Sequence, residues 1–447
     1  MHTPFLVSFG AAMLAVASTA AAQQEIWVDP VNGNDGNPAT YTLPLHTLTA
    51  AIVLAGPNGK IHLLPGVYGP NTNGEALPFN IGQIPQQNLV IRGIGAPGDV
   101  VFDLGQSAST VFRMINGADG ARVTNITIQN SDQTGWWTRA VSSGSGVNTA
   151  NAAMNVEWDR CIFQNINRGF VLWTADNVTG WRIHDNLFVN CTNDAILEYT
   201  GSNEINHNTF HTGTWKAYIS DSATSICYDN LIVAYNIGFE CNNTAAPLTR
   251  FQGNWLHQVT TVQQGSGMGS AIPSTNVVGV DPLLVNPAGG DYHVQAASPT
   301  IDAGVAVPFA RADLDANSRV VDGDLDGALE PDVGCYETTP LHLDVTWDPI
   351  AGLMWFNGSS TITNAYAFVI FSFNDGLVTL PGQGPILVDQ ATYVPAFLQG
   401  VLPHQWVIPF TSYTPPPGQR LVMQILGVAP NHVGGAVFGG NQVWVQL

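Results

Sequence analysis

The middle of the chain alternates apolar and polar residues in short runs that recur along the sequence. Each recurring unit starts at an Asn followed by two or three mainly apolar residues, and from Asn186 the start returns at Asn208, Asn230 and Asn254. The steps are 22, 22 and 24 residues, and a second run follows each start, such as DAILEY over residues 194–199. A repeat of this length, with two or three short strands per unit, predicts stacked coils.

The repeat favours one kind of solenoid. Leucine-rich repeats have a similar length but need a regular lattice of Leu and Asn, which this sequence lacks. We therefore predict an all-β fold, a right-handed parallel β-helix with one repeat per coil. Asn tolerates the left-handed conformation of tight turns, and stacked Asn side chains can bond along a ladder. Phe163, Phe188 and Phe210 share one place in successive repeats and are expected to stack inside the coils.

The flanking segments divide the chain further. Residues 1–22 have the apolar run and small-residue end of a secretory signal peptide, with a buried N-terminal helix as the alternative. Residues 23–110 predict a cap with a strand, a turn and a short amphipathic helix, followed by the first coils; 111–305 are the rest of the β-helix. Residues 306–339 form an acidic closing cap, and 340–447, with alternating runs split by Gly and Pro, predict a small antiparallel β-sandwich.

Composition and charge exclude several classes of binding partner. Of the 447 residues only 10% are charged, and the net charge is −20. This balance argues against nucleic acid and anionic membranes as partners, because both need a basic footprint. The apolar run near the start is too short for a confident transmembrane span. The five cysteines include no CxxC pair, which favours buried thiols over a zinc site. We expect an exported monomer, secreted or held at the cell surface.

Two stretches resemble a known group of proteins. The N-terminal one contains VDP at 28–30, NGNDGNP at 32–38, PLHTLTAAIVLA at 44–55 and KIHLLPGVY at 60–68. The second contains SPTIDAG at 298–304 and runs on through DLDANSR to DVGCYE, ending at Glu337. Both resemble the first and last segments of secreted bacterial β-helix proteins of the pectate-lyase-like superfamily, over residues 25–337. That superfamily includes lyases, hydrolases and adhesins, so the resemblance implies an architecture rather than one activity.

Candidate binding residues follow from stacking the repeats. Equivalent residues of neighbouring coils lie about 4.8 Å apart. Two rows are then expected on one outer face, separated by a shallow groove. Aromatic side chains pack against sugar rings, and Asp or Asn can orient hydroxyl groups, so the rows suggest a polysaccharide groove. The first row contains Arg168, Asp194 and Lys216, and the second contains Trp173, Tyr199, Asp221 and Asn242.

The catalytic candidates are Lys216, Asp194, Asp221 and Arg168. Lys216 or Arg168 could remove a proton beside a uronate, as the resemblance to β-helix polysaccharide lyases implies. A hydrolase would instead need two facing carboxylates, either Asp194 with Asp221 or Glu198 with Asp221. The alternative for all of these charges is a surface charge ladder without a catalytic role.

Trp136 and Trp137 form a second aromatic patch beside Arg139 that could bind substrate. Their alternative role is packing under a long loop. His184, His207 and His211 come from neighbouring coils, and we expect them to be turn residues that lie side by side.

The acidic cap is the best candidate for a metal site. Asp322-Gly-Asp-Leu-Asp-Gly matches the first six places of a calcium loop but lacks its closing Glu. Dense carboxylates repel one another without a cation, so we predict Ca²⁺ here, with a solvated acidic loop as the alternative. The expected ligands are Asp313, Asp315, Asp322, Asp324 and Asp326.

The sequence thus predicts an exported β-helix protein that binds extracellular polysaccharide on its coil face, with cleavage left open. A polysaccharide lyase and a glycoside hydrolase are both compatible with the candidate residues. The alternative is a non-catalytic cell-surface or matrix protein with a structural or adhesive role.

Overall fold

The structure is a computed structural model that describes residues 24–446 with short gaps. The residues left undescribed are 1–23, 108–109, 136–137, 145–150, 174–177, 222, 244–250, 268–274, 306–310, 325–327, 340, 349–352, 361–365, 373–374, 379–385, 389–392, 403, 410–419, 429–436 and 447.

Residues 25–278 form a parallel β-helix, and a short α-helix, α1 (Leu48–Leu54), lies between its first two strands. Its strands are β1 (Glu25–Val28), β2 (Lys60–Leu63), β3 (Gly66–Tyr68), β4 (Phe79–Ile81), β5 (Val90–Gly93), β6 (Val100–Asp103), β7 (Thr110–Met114), β8 (Arg122–Thr124), β9 (Thr127–Gln129), β10 (Arg139–Ser143), β11 (Glu157–Asp159), β12 (Ile162–Ile166), β13 (Phe170–Leu172), β14 (Thr179–His184), β15 (Leu187–Cys191), β16 (Ile196–Glu198), β17 (Ser202–Asn206), β18 (Thr209–Ser220), β19 (Ile226–Tyr228), β20 (Leu231–Cys241), β21 (Phe251–Gln252), β22 (Trp255–His257), β23 (Thr261–Gln264) and β24 (Val277–Val278).

The coils have three faces. The first face is the sheet β1-β2-β5-β8-β11-β14-β17-β19-β21. The second contains β3, β6, β9, β12 and β15, and the third contains β4, β7, β10, β13 and β16. Strands β18 and β20, of 12 and 11 residues, continue across both of these faces and join them into one sheet. This arrangement confirms the predicted all-β class and the β-helix.

The turns and the first cap follow from local sequence. Asn155, Asn165 and Asn190 have φ between +51° and +55°, a left-handed conformation that Asn tolerates better than most residues. Helix α1 begins where the Thr47 side chain accepts a hydrogen bond from the Ala50 amide. The Glu75 carboxylate accepts hydrogen bonds from the backbone N–H groups of Leu48 and Thr49, at 2.7 and 3.0 Å, and so completes this cap. The helix has seven residues, and no helix in the described parts of the chain is long and apolar enough to cross a bilayer.

Two stacks run through the interior and hold successive coils in register. The Phe188 ring lies parallel to Phe163 and Phe210, with ring centroids 4.9 and 4.7 Å away, as the repeat predicts. In the second stack each Asn side-chain oxygen accepts the backbone N–H of the Asn one coil earlier, at 2.9–3.1 Å. This ladder contains Asn186, Asn208, Asn230, Asn254 and Asn276.

The segment from residue 281 to 337 packs against the outer side of the second face. It contains the antiparallel hairpin of β25 (Leu284–Asn286) and β26 (Asp291–Val294). Leu187 of β15 shares one buried cluster with Leu314 and Cys335, and Trp255 of β22 shares another with Val333. We name this stretch, residues 281–337, the closing segment.

Buried ion pairs fasten the closing segment to the coil turns. Arg319 Nη2 lies 2.6 Å from Asp185 Oδ1, and Arg311 Nε lies 3.0 Å from Asp185 Oδ2. Burial raises the pKa of the Asp185 carboxyl, but the two guanidinium groups outweigh it and hold that pKa below its usual range. Arg319 also contacts Glu337 at 3.1 Å and donates to two backbone carbonyls. A charge buried this deeply is tolerated because it is paired and hydrogen-bonded.

The rest of the chain forms antiparallel sheets with the orders β27-β28-β33, β32-β29-β34-β35 and β30-β31. Their strands are β27 (Leu341–Asp348), β28 (Leu353–Ser360), β29 (Tyr366–Ser372), β30 (Asp375–Val378), β31 (Ile386–Val388), β32 (Tyr393–Val401), β33 (His404–Pro409), β34 (Arg420–Val428) and β35 (Val437–Gln446).

All five cysteines lie in described parts of the chain and are buried free thiols. Burial raises the pKa of the Cys161, Cys191 and Cys335 thiols, which keeps them protonated and unreactive.

Candidate functional site

An open groove of about 530 Å³ crosses the third face of the β-helix. It lies over the consecutive strands β13, β16 and β18, where the sequence places its two candidate rows. We name it the third-face groove. Its lining residues are Arg168, Thr192, Asn193, Asp194, Leu197, Tyr199, Thr214, Trp215, Lys216, Ile219 and Asp221.

The floor of the groove is apolar. Phe170, Ile196 and Tyr218 point into the coil core. Strand alternation turns the next residue of each coil outward, and in this part of the face those residues are Val171, Leu197 and Ile219. These three side chains are only 1–7% exposed, because they pack in a small outer cluster with Trp173 and Tyr199. Leu197 and Ile219 present their remaining exposed edges to the groove.

The aromatic row is placed only partly as predicted. Tyr199 lines the groove and stacks on Trp173, with centroids 5.5 Å apart and rings 8° from parallel. Trp173 itself is only 6% exposed and does not line the groove. It lies beneath the Arg139 guanidinium, 4.8 Å from the ring centroid, and its indole N–H donates to Ser142 Oγ at 2.9 Å. Trp173 therefore supports Tyr199 from behind, and the expectation that it faces a ligand is corrected.

The predicted charged row comes together as ion pairs. Arg168 Nε lies 3.1 Å from Asp194 Oδ2. Lys216 Nζ lies 3.0 Å from Glu240 Oε2, so the partner of Lys216 is Glu240 rather than Asp194. This pair occupies the ammonium group, and a role for Lys216 as a base would require the pair to be broken.

Asp194 is the carboxyl group of the groove with the most unusual surroundings. It is 4% exposed, and burial raises its pKa although Arg168 opposes the rise. Its Oδ1 atom is buried and has no hydrogen-bond partner among the described residues. A carboxyl group with a raised pKa can hold a proton near neutral pH and donate it to a bound ligand.

The other predicted carboxylates differ in position. Asp221 lines the groove, and its Oδ1 accepts a hydrogen bond from Asn242 Nδ2 at 2.9 Å. Asn242 is exposed and lies next to the lining residues through this bond. Glu198 points into the coil, is 0% exposed, and contacts Tyr218 and Asn203. The expected pairing of Glu198 with Asp221 is therefore wrong, because strand alternation puts the two side chains on opposite sides of the sheet.

Sequence reasoning missed Trp215 and Glu240. Trp215 lines the groove, is 44% exposed and lies 5.4 Å from Lys216 Nζ. The register between β18 and β20 shifts between Gly213 and Lys216, and an irregularity of this kind is not visible in a sequence. Glu240 had a usable signal, because it follows Leu197 and Ile219 in the same outward row. Trp136 and Trp137 lie outside the described residues, so their predicted role stays a prediction.

The predicted metal ligands separate into different surroundings. Asp313 accepts hydrogen bonds from the Asn317 and Glu337 amides, and Asp315 lies 2.6 Å from His293 Nε2. Asp326 lies outside the described residues.

Asp322 and Asp324 do come together, with Asp302 as a third member that the sequence did not suggest. One carboxylate oxygen of each residue lies within 4.8 Å of the other two. Burial is the main cause that raises the pKa of Asp302 to about 7. Three convergent carboxylates fit the oxygen chemistry of Ca²⁺.

The three histidines do not converge on one site. His184 Nδ1 lies 2.7 Å from Asp185, and His207 contacts Arg311 in the buried ion network under the closing segment. His211 lies against Tyr292, with centroids 5.0 Å apart. Two of them therefore help to bind the closing segment, and the third packs under its hairpin.

Comparison with known proteins finds one family and several solved structures that are similar to this chain. The family described as Protein of unknown function (DUF1565) matches residues 31–286, which is more than half of the chain. No curated protein matches the sequence. The predicted parallel β-helix is confirmed by the sheets of the structure itself.

Three solved structures illustrate the similarity. Pectate lyase Pel9A is 14% identical, with a TM-score of 0.39 over 72% of this chain and 98% of that one. A GH136 lacto-N-biosidase from Eubacterium ramulus is 11% identical, with a TM-score of 0.30 over 54% and 55% of the two chains. The A-module of the Azotobacter vinelandii mannuronan C-5 epimerase AlgE6 is 15% identical, with a TM-score of 0.31 over 47% and 61%. Similarity this low says nothing about what this chain does.

Proposed function

The chain belongs to the DUF1565 family, and from this premise we propose that it is a carbohydrate-binding β-helix protein whose third-face groove holds a polysaccharide. The observation that carries the proposal is the joint placement of Tyr199 and Trp215 beside an apolar floor in an open groove. Sugar rings have apolar sides that pack on aromatic and aliphatic side chains, and hydroxyl edges that need hydrogen bonds.

The polar rim supplies those hydrogen bonds. Thr192, Asn193 and Thr214 line the groove with side chains that donate and accept, and Asp221 accepts only. Adjacent coils repeat about every 4.8 Å, so a groove across three coils offers consecutive contacts to an extended polymer. A linear chain that lies across the coils therefore suits this shape better than a compact small molecule.

Binding is the primary proposal, and Asp194 is the residue on which a cleavage activity would rest. Its raised pKa suits a proton donor, and Asp221 in the same groove could serve as the second carboxylate. The ion pairs of Arg168 and Lys216 with carboxylates favour the alternative, a binding protein without catalysis. The signal-like residues 1–22 support action outside the cell.

A panel of neutral and acidic polysaccharides tests the proposal. Trp215→Ala is expected to weaken binding of the best ligand about tenfold, since truncating an aromatic contact residue costs about 1–2 kcal/mol. Tyr41→Ala is the matched control, because Tyr41 is a partly exposed aromatic near the N-terminal end that does not line the groove. Equal binding by the wild type and Trp215→Ala would refute the groove as the binding site.

The same samples test cleavage. New reducing ends or unsaturated products that disappear in Asp194→Asn, while binding is retained, would identify an enzyme. Binding without product would identify a carbohydrate-binding protein.

We propose that Ca²⁺ binds to the cluster of Asp302, Asp322 and Asp324. These residues belong to the closing segment and do not line the groove, so a cation there would stabilise the fold rather than touch a ligand.

A further inference from the structure

Four successive coils carry an ionisable residue at the same turn. Arg160, Asp185, His207 and Asp229 each follow the last residue of a first-face strand, and each has a φ between +49° and +55°. Ionisable side chains in turns usually face water, but these four residues are at most 6% exposed. Another part of the chain must therefore cover the row.

The closing segment covers the row and is bound at both ends of it. At one end, Asp185 lies between the two guanidinium groups of the closing segment described above. At the other end, the Val305 N–H group donates to Asp229 Oδ2 at 2.7 Å, and the Gly334 N–H group donates to the Asp229 carbonyl at 2.9 Å. His207 occupies the coil between these two attachment points.

The contact of His207 with the closing segment requires a neutral ring. Arg311 Nη2 lies 2.5 Å from His207 Nδ1. Because a guanidinium group only donates hydrogen bonds, Nδ1 must be the accepting nitrogen and the ring proton lies on Nε2, 3.4 Å from Asp229 Oδ2. A second proton on Nδ1 would point at the guanidinium group and break this bond.

The charges that face His207 oppose a second proton. Arg311 and Arg319 approach the ring from the closing segment, and His184 approaches it from the preceding coil. The Tyr228 ring lies edge-on to the imidazole, with centroids 5.8 Å apart. Burial, followed by the three positive charges, lowers the pKa of His207 well below 6.5, so the ring is neutral at neutral pH.

The neighbouring carboxyl groups do not neutralise a charged His207. Asp185 is already shared by two guanidinium groups, and burial raises the pKa of Asp229 to about 7. Protonation of Asp229 therefore favours the docked segment as the pH falls through about 7. His207 acts in the opposite sense below pH 6.5, because a ring freed from the segment takes up a proton more readily than the docked ring.

We propose that His207 and Arg311 form a proton-sensitive latch for the closing segment, which is docked while His207 Nδ1 accepts the Arg311 hydrogen bond and is released in acid when that nitrogen takes up a proton. Release uncovers the second-face side chains that the segment packs on, including Leu187 and Trp255. The latch does not depend on the proposed function, because neither latch residue lines the third-face groove.

Cysteine labelling tests the latch, because Cys335 belongs to the closing segment and the other four buried thiols lie in the coils. The full-length protein is treated with 4,4′-dithiodipyridine, which reacts with thiols in acid, and labelled cysteines are identified by mass spectrometry. Rates are divided by that of a free cysteine peptide at the same pH. From pH about 6.5 to about 4, we expect Cys335 labelling to accelerate about tenfold or more while the coil thiols stay protected.

His207→Asn is the decisive variant. Asn tolerates the left-handed turn, as Asn125 does in the same row, and its side-chain oxygen can accept the Arg311 bond without titrating. Cys335 labelling in this variant should change less than about twofold over the same pH range. His46→Gln is the matched control, because His46 lies in the N-terminal cap, and it should release the segment as the wild type does.

Asp229→Asn gives an independent result if His207→Asn does not fold. It keeps an acceptor for the Val305 N–H group and leaves His207 intact, so acid release of Cys335 should remain. The slower labelling that Asp229 protonation gives the wild type between pH about 8 and about 6.5 should be absent. The latch is overturned if all five thiols react together in acid, if Cys335 stays protected in the wild type, or if His207→Asn releases it at the same pH.

Discussion

The asparagine ladder offers a quantitative test of how the coils are held together. Asn208 is 0% exposed, and its side chain joins three coils. Its Oδ1 accepts the backbone N–H and the side-chain N–H of Asn186, both at 3.1 Å. Its Nδ2 donates to the Ile183 and Asn206 carbonyls at 2.9 and 3.0 Å and to Asn230 Oδ1 at 3.0 Å. The substitution Asn208→Ala removes all of these bonds at once.

The expected cost follows from which groups lose their partners. The Asn186 amide is buried and loses its acceptor, which costs about 1–3 kcal/mol. The Asn186 side-chain N–H group keeps its hydrogen bond to the Trp158 carbonyl at 2.9 Å, so losing its bond to Asn208 costs less than the loss at the backbone N–H. The Ile183 and Asn206 carbonyls each lose a hydrogen bond worth about 0.5–1.5 kcal/mol, so the total destabilisation is about 2–6 kcal/mol.

Urea denaturation followed by tryptophan fluorescence measures this cost directly. Asn80→Ala is the control, because the Asn80 side chain is half-buried and makes a 3.3 Å bond to the Pro78 carbonyl. The control should lose less than about 1 kcal/mol. If the free energy of unfolding falls no more in Asn208→Ala than in Asn80→Ala, the ladder does not hold the coils together and the reasoning is refuted.

Three further predictions concern other parts of the chain. Phe188→Ala should destabilise the protein by about 3–5 kcal/mol in the same assay, because it opens a cavity in the stacked interior. Although burial lowers it, hydrogen bonds to Asp315 and Asp291 raise the pKa of His293 to about 9. Protonated His293 therefore contributes stability that is fully present below pH 6.5, its pKa in the unfolded chain. That contribution is lost as the pH rises through about 9, its pKa in the folded protein. His293→Gln should remove that part of the pH dependence of Tm; because the side chain is 47% exposed, the effect should stay below about 1 kcal/mol. Millimolar Ca²⁺ should raise Tm in the wild type but not in Asp322→Asn, whereas an equal rise in both would place the ion elsewhere.

Sequence periodicity determined the solenoid because every coil places the same local requirements on its residues. A left-handed turn favours Asn, Asp or Gly, an inward position favours an apolar side chain, and a stack favours identical residues at one spacing. Asn186 and Phe188 show the last two requirements within three residues, and the structure places both in the stacks that the repeat predicts. The same register brought Arg168 beside Asp194.

The details of the site depended on contacts between coils that no local pattern encodes. Trp173 was expected on the surface, but Arg139 and Tyr199 cover it from neighbouring coils. Trp215 lines the groove at an irregularity between two strands, where alternation no longer predicts the direction of a side chain.

The sequence alone therefore determined the coil, its repeat length and the residues of its stacks, since these depend on spacing along the chain. The tertiary structure decided which charges pair and which acids converge. Lys216 pairs with Glu240, 24 residues later, and Asp302 joins Asp322 from 20 residues away. Such choices are made by side chains that meet only after the coils stack and the closing segment packs on them, because electrostatic pairing depends on distance in space.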